Sequence, residues 1–254
     1  MRLRKVTALV AVAVLLGVGV ILVYEPSRTF MNYGYTKLRG GYTVSERLQQ
    51  YGPDVEQRLK ADFERAGVPY PPAEVAYVAF KDASLLEVYA RPSDTAPWQF
   101  IRTYPVLKAS GELGPKLREG DRQVPEGVYR SEFLNANSRY HLSIRVNYPN
   151  EFDRQMARAD GRDQLGGDIM IHGSAFSIGC LAMGNPAAED LFVLAALTES
   201  GSVNIVISPT DFRQHSDYAA SNGVPWLDEL YAQLRVELEH FSRDVDHPRQ
   251  GVSL

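Results

Sequence analysis

One short segment constrains this chain more than any other: residues 168–185, which hold its only cysteine. The apolar residues 169–171 predict a short strand that ends at His172. Gly173 then permits a turn, and a brief loop leads to Cys180. This order predicts that the loop folds the thiol of Cys180 back towards the imidazole of His172.

Cys180 and His172 admit a catalytic and a structural interpretation. A cysteine with its free pKa of about 8.5 is mostly thiol at neutral pH, so a nucleophile needs a neighbour that takes its proton. Gly179 allows close approach beside the sulfur, and the amides of Gly179 and Cys180 would then serve as oxyanion donors. The alternatives are a buried structural cysteine and a structural histidine. Zinc is disfavoured, because one cysteine and no closely spaced histidine pair supply too few ligands.

Longer motifs favour the catalytic interpretation. They are GPKLREGDRQVPEGVY at residues 114–129, YHLSIR at residues 140–145, YPN at residues 148–150 and HGSAFSIGCLAM at residues 172–183. By these motifs the chain resembles the L,D-transpeptidase catalytic domain, which has the YkuD-type fold, and more narrowly its YafK-like branch. The resemblance extends over residues 69–209.

The resemblance implies a fold and a set of roles. The fold is a β-sandwich catalytic domain. Cys180 is the nucleophile, His172 the general base and acid, and Gly179 part of the oxyanion region. The wider family carries a second histidine before the Gly-Cys pair and an arginine two residues after the cysteine. In this chain those two positions are Ile178 and Ala182, and the loop is short. The resemblance therefore does not specify how the substrate is held or which group accepts the acyl chain.

The first 23 residues form a separate apolar segment. Arg2, Arg4 and Lys5 precede an uncharged run over residues 6–23, which as a helix would extend about 27 Å and match the hydrocarbon core of a membrane. The basic residues place the remainder outside the cytoplasm. We therefore expect a transmembrane signal-anchor over residues 1–23, with a cleaved signal peptide as the alternative. The protein is then anchored in the inner membrane or secreted, with its catalytic domain in the periplasm.

Two segments connect this anchor to the motifs. Residues 24–44 lack sustained periodicity and are interpreted as a juxtamembrane linker. Residues 45–68 carry apolar side chains at helical spacing, with Pro53 suited to a helix start and Gly67 to a C-terminal cap. This pattern predicts a helix that packs on the catalytic domain; a helix that binds a partner protein is the alternative.

The remainder predicts a catalytic domain over residues 69–210 and a helical extension over residues 211–254. Strands are predicted at residues 75–80, 85–89, 98–107, 128–129, 140–146 and 203–207. A buried helix is predicted over residues 187–197 after a cap at Asn185, and an amphipathic helix over residues 225–243. The fold class is therefore mainly β with flanking helices (α+β), preceded by an N-terminal membrane helix.

Five further residues are candidates for binding substrate. His141, Ser143 and Arg145 alternate on one face of a predicted strand, where they would line a groove, with Arg145 available to a peptide carboxylate and His141 available to orient a catalytic group. A solvated strand face is the alternative. Gly173 and Ser177 flank the catalytic pair within the loop segment and are candidates by position.

Composition excludes one class of partner. The chain is 44% hydrophobic and 23% charged with a net charge of −4, values typical of a folded globular protein, and it lacks the basic excess of a nucleic-acid-binding chain. No metal or cofactor is expected.

The resemblance implies an exported cysteine acyltransferase of peptidoglycan metabolism, with a part in cell wall biogenesis and cell shape. It would act as an L,D-transpeptidase on stem peptides through a thioester. One alternative is an L,D-amidase that releases a wall-bound lipoprotein by hydrolysis, and another is a non-catalytic cell-wall-binding module. The expected partners are peptidoglycan stem peptides, the membrane and, for the amidase, a wall-linked lipoprotein.

Overall fold

The computed structural model describes residues 25–198, 201–218 and 223–243. Its helices are α1 (Glu25–Arg39), α2 (Val44–Ala66), α3 (Glu151–Ala159), α4 (Asn185–Leu197) and α5 (Leu227–Leu238). Its strands are β1 (Glu74–Phe80), β2 (Leu85–Arg91), β3 (Gln99–Pro105), β4 (Lys108–Ala109), β5 (Gly127–Ser138), β6 (His141–Val146), β7 (Met170–His172), β8 (Leu181–Ala182) and β9 (Asn204–Ser208). Every predicted strand is present, and the two-residue strands β4 and β8 are additional.

The described strands form one sheet in the order β3-β2-β1-β9-β5-β6-β7-β8-β4. The β1–β9 and β7–β8 pairs are parallel, and the others are antiparallel. The expected β-sandwich is therefore a single sheet that curls, rather than two separate sheets. β5 belongs to both halves, because its first residues pair with β9 and its later residues pair with β6. Register shifts along β5 mark bulges, which bend a strand and so turn the sheet.

Helix α2 confirms the predicted packing helix but begins earlier than Pro53. The Thr43 hydroxyl accepts from the Glu46 amide, and the Glu46 carboxylate accepts from the Thr43 amide, so this capping box fixes the start of the helix. Pro53 lies inside α2, which continues because apolar residues on both sides of it pack against the core. Gly67 has φ 65° and ends the helix as predicted.

The segment interpreted as a linker contains helix α1. The chain after α1 is fixed to β5 where the Tyr42 amide donates to Oδ1 of Asn137 and Nδ2 of Asn137 donates to the Tyr42 carbonyl, at 2.6 and 2.8 Å. Thr36 of α1 is buried. Tyrosines and polar groups make these contacts, so no aliphatic stripe revealed the helix in the sequence.

The predicted anchor over residues 1–23 lies outside the described residues. Within the described ranges, no helix is long and apolar enough to cross a membrane. At the other end of the chain, the apolar stripe of the last predicted helix is buried as expected. The helix itself ends at Leu238, short of residue 243.

Lys81 and Glu126 form a buried ion pair that anchors the long loop between β4 and β5. Their Nζ and Oε1 atoms are 2.9 Å apart, and the side chains are 5% and 0% exposed. Nζ also donates to the carbonyls of Gly114 and Val124, while the Glu126 carboxylate accepts from the Tyr231 hydroxyl. The pair thereby joins the end of β1, the loop and helix α5.

Replacing Lys81 by Met should lower the free energy of unfolding by about 3 kcal/mol, because it leaves the Glu126 carboxylate buried without its cation. Urea unfolding of the two proteins measures the difference. Lys60→Met is the matched control, since Lys60 and Glu64 are 4.0 Å apart and exposed, so that pair contributes little. Equal losses for the two variants would contradict this account of the buried pair.

Candidate active site

His172 and Cys180 lie at the ends of the adjacent parallel strands β7 and β8. Ile171 pairs with Leu181, and His172 pairs with Ala182. Extending this register back by one residue places Cys180 beside Met170. Residues two apart on a strand share a face. The side chains of His172 and Cys180 therefore project from the same face of the sheet, with main chains about 8 Å apart by strand geometry.

The imidazole of His172 is buried and held in one orientation. Its Nδ1 atom is 2.6 Å from the carbonyl oxygen of Gly173, and its ring stacks on Tyr140 with centroids 4.8 Å apart. Because a carbonyl only accepts, Nδ1 carries the hydrogen and the lone pair of the neutral ring is on Nε2. The group that orients His172 is thus a main-chain carbonyl, which leaves no trace in the sequence.

The thiol of Cys180 is partly exposed, and its surroundings favour its neutral form. Burial raises the pKa of Cys180, a hydrogen bond with the Met170 main chain lowers it in part, and the Asp168 carboxylate raises it again. The sulfur is 3.6 Å from the Asp168 carbonyl oxygen. Burial likewise lowers the pKa of His172, against the opposing effect of the Gly173 carbonyl. The resting pair is therefore thiol and imidazole, not thiolate and imidazolium.

Two serine hydroxyls engage the amides that were predicted as oxyanion donors. The Gly179 amide donates to Oγ of Ser110, which donates in turn to the Arg122 carbonyl. The Cys180 amide donates to Oγ of Ser177 at 3.0 Å. Gly179 has φ 89°, a conformation that favours glycine, as the sequence indicated. In this conformation both amides are satisfied by the protein itself.

The motif at residues 114–129 holds the loop that fixes Gly179. The Asp121 carboxylate accepts from the amides of Leu117, Arg118 and Gln123 and pairs with Lys116 at 2.5 Å. These bonds set the main chain around Arg122, whose carbonyl accepts from Ser110. The motif therefore acts on the nucleophile through Ser110 and Gly179.

Gly173 and Ser177 are both buried within the loop. Ser177 is buried, and its hydroxyl donates back to the Cys180 carbonyl at 2.5 Å. Gly173 is buried too, and an added Cβ would lie 2.7 Å from Oδ1 of Asn185 and 2.8 Å from the Tyr140 carbonyl. Asn185 was predicted to cap α4, but Gly184 is the cap residue and Oδ1 of Asn185 accepts from the Ser174 amide instead.

The structure places His141 against Glu189 and buries Ser143. Nε2 of His141 is 2.9 Å from a carboxylate oxygen of Glu189, and its ring meets Tyr51 edge to face. The sequence suggested that His141 could orient a catalytic group. The groups that contact the ring of His172 are instead the Gly173 carbonyl and Tyr140. Ser143 pairs with His172 in the sheet but is only 2% exposed.

Arg145 is the most exposed of the three residues predicted to share a groove face. It pairs in register with Met170, the residue beside Cys180. Its guanidinium lies 2.6 Å from Oδ1 of Asp168 and 2.8 Å from Oε2 of Glu132. The peptide carboxylate foreseen as its partner would meet a guanidinium that already has two carboxylate neighbours.

Tyr140, Ser110 and Asp168 are site residues that the sequence did not reveal. Tyr140 was placed only on the apolar face of its strand, and the other two belong to no pattern that indicates a role. Each acts through a contact made by the fold, so only proximity identifies it. Within the described ranges, no group of three or more His, Cys, Asp or Glu side chains converges to hold a metal ion.

Cys180 and the oriented imidazole of His172 thus share one face of the curled sheet. The chain belongs to the L,D-transpeptidase family: the family model of the L,D-transpeptidase catalytic domain, YkuD, matches residues 82–207. A protein of Escherichia coli (strain K12) named "Putative L,D-transpeptidase YafK" is 32% identical over 177 residues, which cover 68% of each chain.

Two solved structures are partly similar. The helical cell shape determining protein Pgp2 from Campylobacter jejuni is 23% identical, with a TM-score of 0.42 over 54% of this chain and 48% of that one. L,D-transpeptidase 1 of Mycobacterium tuberculosis is 17% identical, with a TM-score of 0.30 over 53% of this chain and 62% of that one. Both superpositions are partial.

Replacing Gly173 by Ala should destabilise the protein by about 1–3 kcal/mol, since the added methyl group would overlap the Tyr140 carbonyl and the Asn185 amide. Thermal and urea unfolding measure the loss. Gly52→Ala is the control, because a methyl group there meets no atom within 4 Å and sits in helix α2, where Ala is favoured. A Gly173→Ala protein as stable as the wild type would refute the steric account.

Proposed function

We propose that the protein is an exported L,D-transpeptidase that acts on peptidoglycan stem peptides through a thioester on Cys180, with His172 as general base. Membership of the family supports the enzyme class. The observation that carries the residue roles is the hydrogen bond from Nδ1 of His172 to the Gly173 carbonyl. It leaves Nε2 as the only basic atom of a ring that shares a sheet face with the thiol.

The proposed chemistry begins from the neutral pair. The thiol proton of Cys180 moves to Nε2 of His172 as the sulfur attacks the carbonyl carbon of an L,D peptide bond. The tetrahedral intermediate collapses to a thioester, and the leaving amine takes the proton from Nε2. An acceptor then attacks the thioester and gives its proton to Nε2, and the departing sulfur recovers that proton as thiol.

For the amides of Gly179 and Cys180 to hold the oxyanion, the substrate oxygen would replace the serine hydroxyls that now accept from them. Loss of two neutral hydrogen bonds would be offset by stronger bonds to a charged oxygen. The serines thus keep the donors satisfied until charge develops.

The substrate class and the location belong to the same proposal. An apolar segment after basic residues supports export to the periplasm on an inner-membrane anchor. The family supports the stem peptide of peptidoglycan as acyl donor, cut after the L-centre of its diamino acid. A part in cell wall biogenesis and cell shape follows from that substrate.

A hydrolytic outcome is the second candidate. Ala182 is fully buried where the wider family carries an arginine, and Ile178 is exposed where it carries a histidine. Both departures remove polar groups that would hold an acceptor amine near the thioester, and so favour water. The amidase would then release a lipoprotein linked to the cell wall.

Mass spectrometry of the intact full-length protein after incubation with defined muropeptides tests the proposal. We expect a thioester adduct on the wild type and none on Cys180→Ala, because the alanine has no nucleophile. A crosslinked product in the presence of an amine acceptor would identify a transpeptidase, and released peptide with water as acceptor would identify the amidase. If the wild type and Cys180→Ala were equally inert towards all donors, including wall-linked lipoprotein, the binding module would replace both.

The rate of thioester formation should fall in acid with a midpoint below about pH 6.5. His172 must be neutral to take the thiol proton, and burial lowers its pKa, so it remains a base below the ordinary histidine value of about 6.5. Initial acylation rates between pH 4.5 and 8 check this. His215→Asn, at an exposed loop histidine, should leave the profile unchanged. A midpoint at or above pH 6.5 would contradict the shift.

A further inference from the structure

A cavity of about 200 Å³ opens between helices α1 and α2 and the turn that joins β5 to β6. It has no part in the chemistry proposed above, because neither Cys180 nor His172 lines it. A cavity of about 150 Å³ can hold a benzene ring, so this one is large enough for a single ligand of that size. Its walls are mainly aromatic and come from both helices: Tyr33, Tyr35, Tyr42 and Tyr51.

Arg47 places a buried cation on the wall of this cavity. The residue is only 7% exposed. Its Nε atom donates to the Ala136 carbonyl at 3.0 Å, and its Nη1 atom donates to Oε1 of Gln50 at 2.8 Å. Among the described residues, no acceptor bonds to Nη2 and no carboxylate forms an ion pair with the guanidinium. A buried charge without a counter-charge costs free energy, which an arriving anion would recover.

The carboxylates next to the cavity residues already have cations of their own. The Glu46 carboxylate is 3.1 Å from the guanidinium of Arg39. The Glu189 carboxylate is 3.3 Å from the guanidinium of Arg58 and 2.9 Å from Nε2 of a lining residue, His141. Neither carboxylate pairs with the Arg47 guanidinium, so its counter-charge has to come from outside the described part of the chain.

The aromatic walls of the cavity are already in contact with cations. The guanidinium carbons of Arg39 and Arg47 lie 4.1 and 3.8 Å from the centroid of the Tyr42 ring. Nζ of Lys37 lies 5.4 Å from the centroid of the Tyr33 ring. A cationic ligand would meet like charge here, although aromatic walls by themselves favour ammonium groups. An anion would instead meet attractive charge, and the tyrosines carry hydroxyl donors for it.

We propose that this cavity binds a phosphate ester of a small polyol, with Arg47 as its cation. The phosphate would accept from the unspent Nη2 donors of Arg47 and from the tyrosine hydroxyls, while the carbon portion packs on the rings. Phosphate presents acceptor oxygens in several directions and so suits donors on different walls, whereas a carboxylate presents two oxygens in one plane.

The position of α1 makes the membrane one source of such an ester. Helix α1 begins at Glu25, close behind the apolar run over residues 6–23 that predicts an anchor. Tyr33 follows Glu25 by eight residues, which is about 12 Å along a helix. The headgroup of an anionic phospholipid beside the anchor would therefore be near the cavity. A free phosphate ester in solution is the other source of the same chemistry.

Isothermal titration calorimetry on the full-length protein in uncharged maltoside micelles tests the inference. The probes are glycerol 3-phosphate and, as its uncharged match, glycerol. We expect saturable binding of glycerol 3-phosphate and no heat of binding from glycerol, because only the ester carries an anion that can pair with Arg47.

Gln50→Glu supplies the missing anion from within the protein. Its carboxylate would lie where Oε1 of Gln50 now accepts from Arg47. The variant should weaken binding of glycerol 3-phosphate about tenfold or more without lowering the unfolding temperature. Gln49→Glu, at an exposed neighbour on α2 that does not line the cavity, adds the same charge and should weaken binding less than about threefold, because solvent screens it. Arg47→Met removes the cation and should abolish binding.

Competition identifies the source of the ester. Phosphatidylglycerol or oleate is added to the micelles at equal mole fraction, so that both bring negative charge but only phosphatidylglycerol brings a phosphate ester. If phosphatidylglycerol alone weakens binding of glycerol 3-phosphate about tenfold or more, a membrane lipid is an occupant. If neither weakens it, the free ester is the occupant. Both outcomes support the site.

Other results would overturn the inference. They are absence of binding of glycerol 3-phosphate to the wild type, equal binding of glycerol, equal competition by oleate, and an equal loss of affinity in Gln50→Glu and Gln49→Glu. Each of these concerns the cavity between α1 and α2. Thioester formation on Cys180 is measured separately, so the proposed function would stand or fall on its own experiment.

Discussion

The parallel pairing of β7 with β8 is the contact on which the candidate active site depends. Parallel neighbours usually need a crossover of a dozen or more residues, yet here residues 173–180 connect the two strands. Such a short return requires unusual main chain, supplied by Ser174 at φ 63° and Gly179 at φ 89°. The Met183 amide closes the pair by donating to the His172 carbonyl at 2.8 Å. This tightly held loop places Cys180 and His172 on one face of the sheet.

Much of the fold was accessible from the sequence because local patterns report burial. The alternation along β6 and the apolar stripe of α5 are consequences of one buried face, so their positions could be predicted. Helix α1 and the true start of α2 could not, because polar contacts to distant residues fix them. Asn137, which holds the segment after α1, is 95 residues away from Tyr42.

The candidate site likewise contains residues that the sequence indicated and residues that it did not. The order of His172, Gly179 and Cys180 indicated the groups proposed to react, since chemistry restricts which residue types can act. Tyr140 and Ser110 left no such signal, because stacking on an imidazole or accepting from an amide can be done by many residues. Their role depends only on where the fold brings them, so it becomes visible only in three dimensions.

The two departures from the wider family have different physical origins. Ala182 is fully buried and pairs with His172 on one side and Lys108 on the other, so an arginine there would have to displace the packing next to His172. Lys108, the β4 partner of Ala182, is exposed and projects from the same face. A positive charge is therefore present one strand further from His172 than Ala182 is. Ile178 is 70% exposed at the rim of the loop, where a histidine would meet no steric barrier. The absence of an arginine at position 182 therefore agrees with the burial of that position, while the exposed position of Ile178 would admit a histidine.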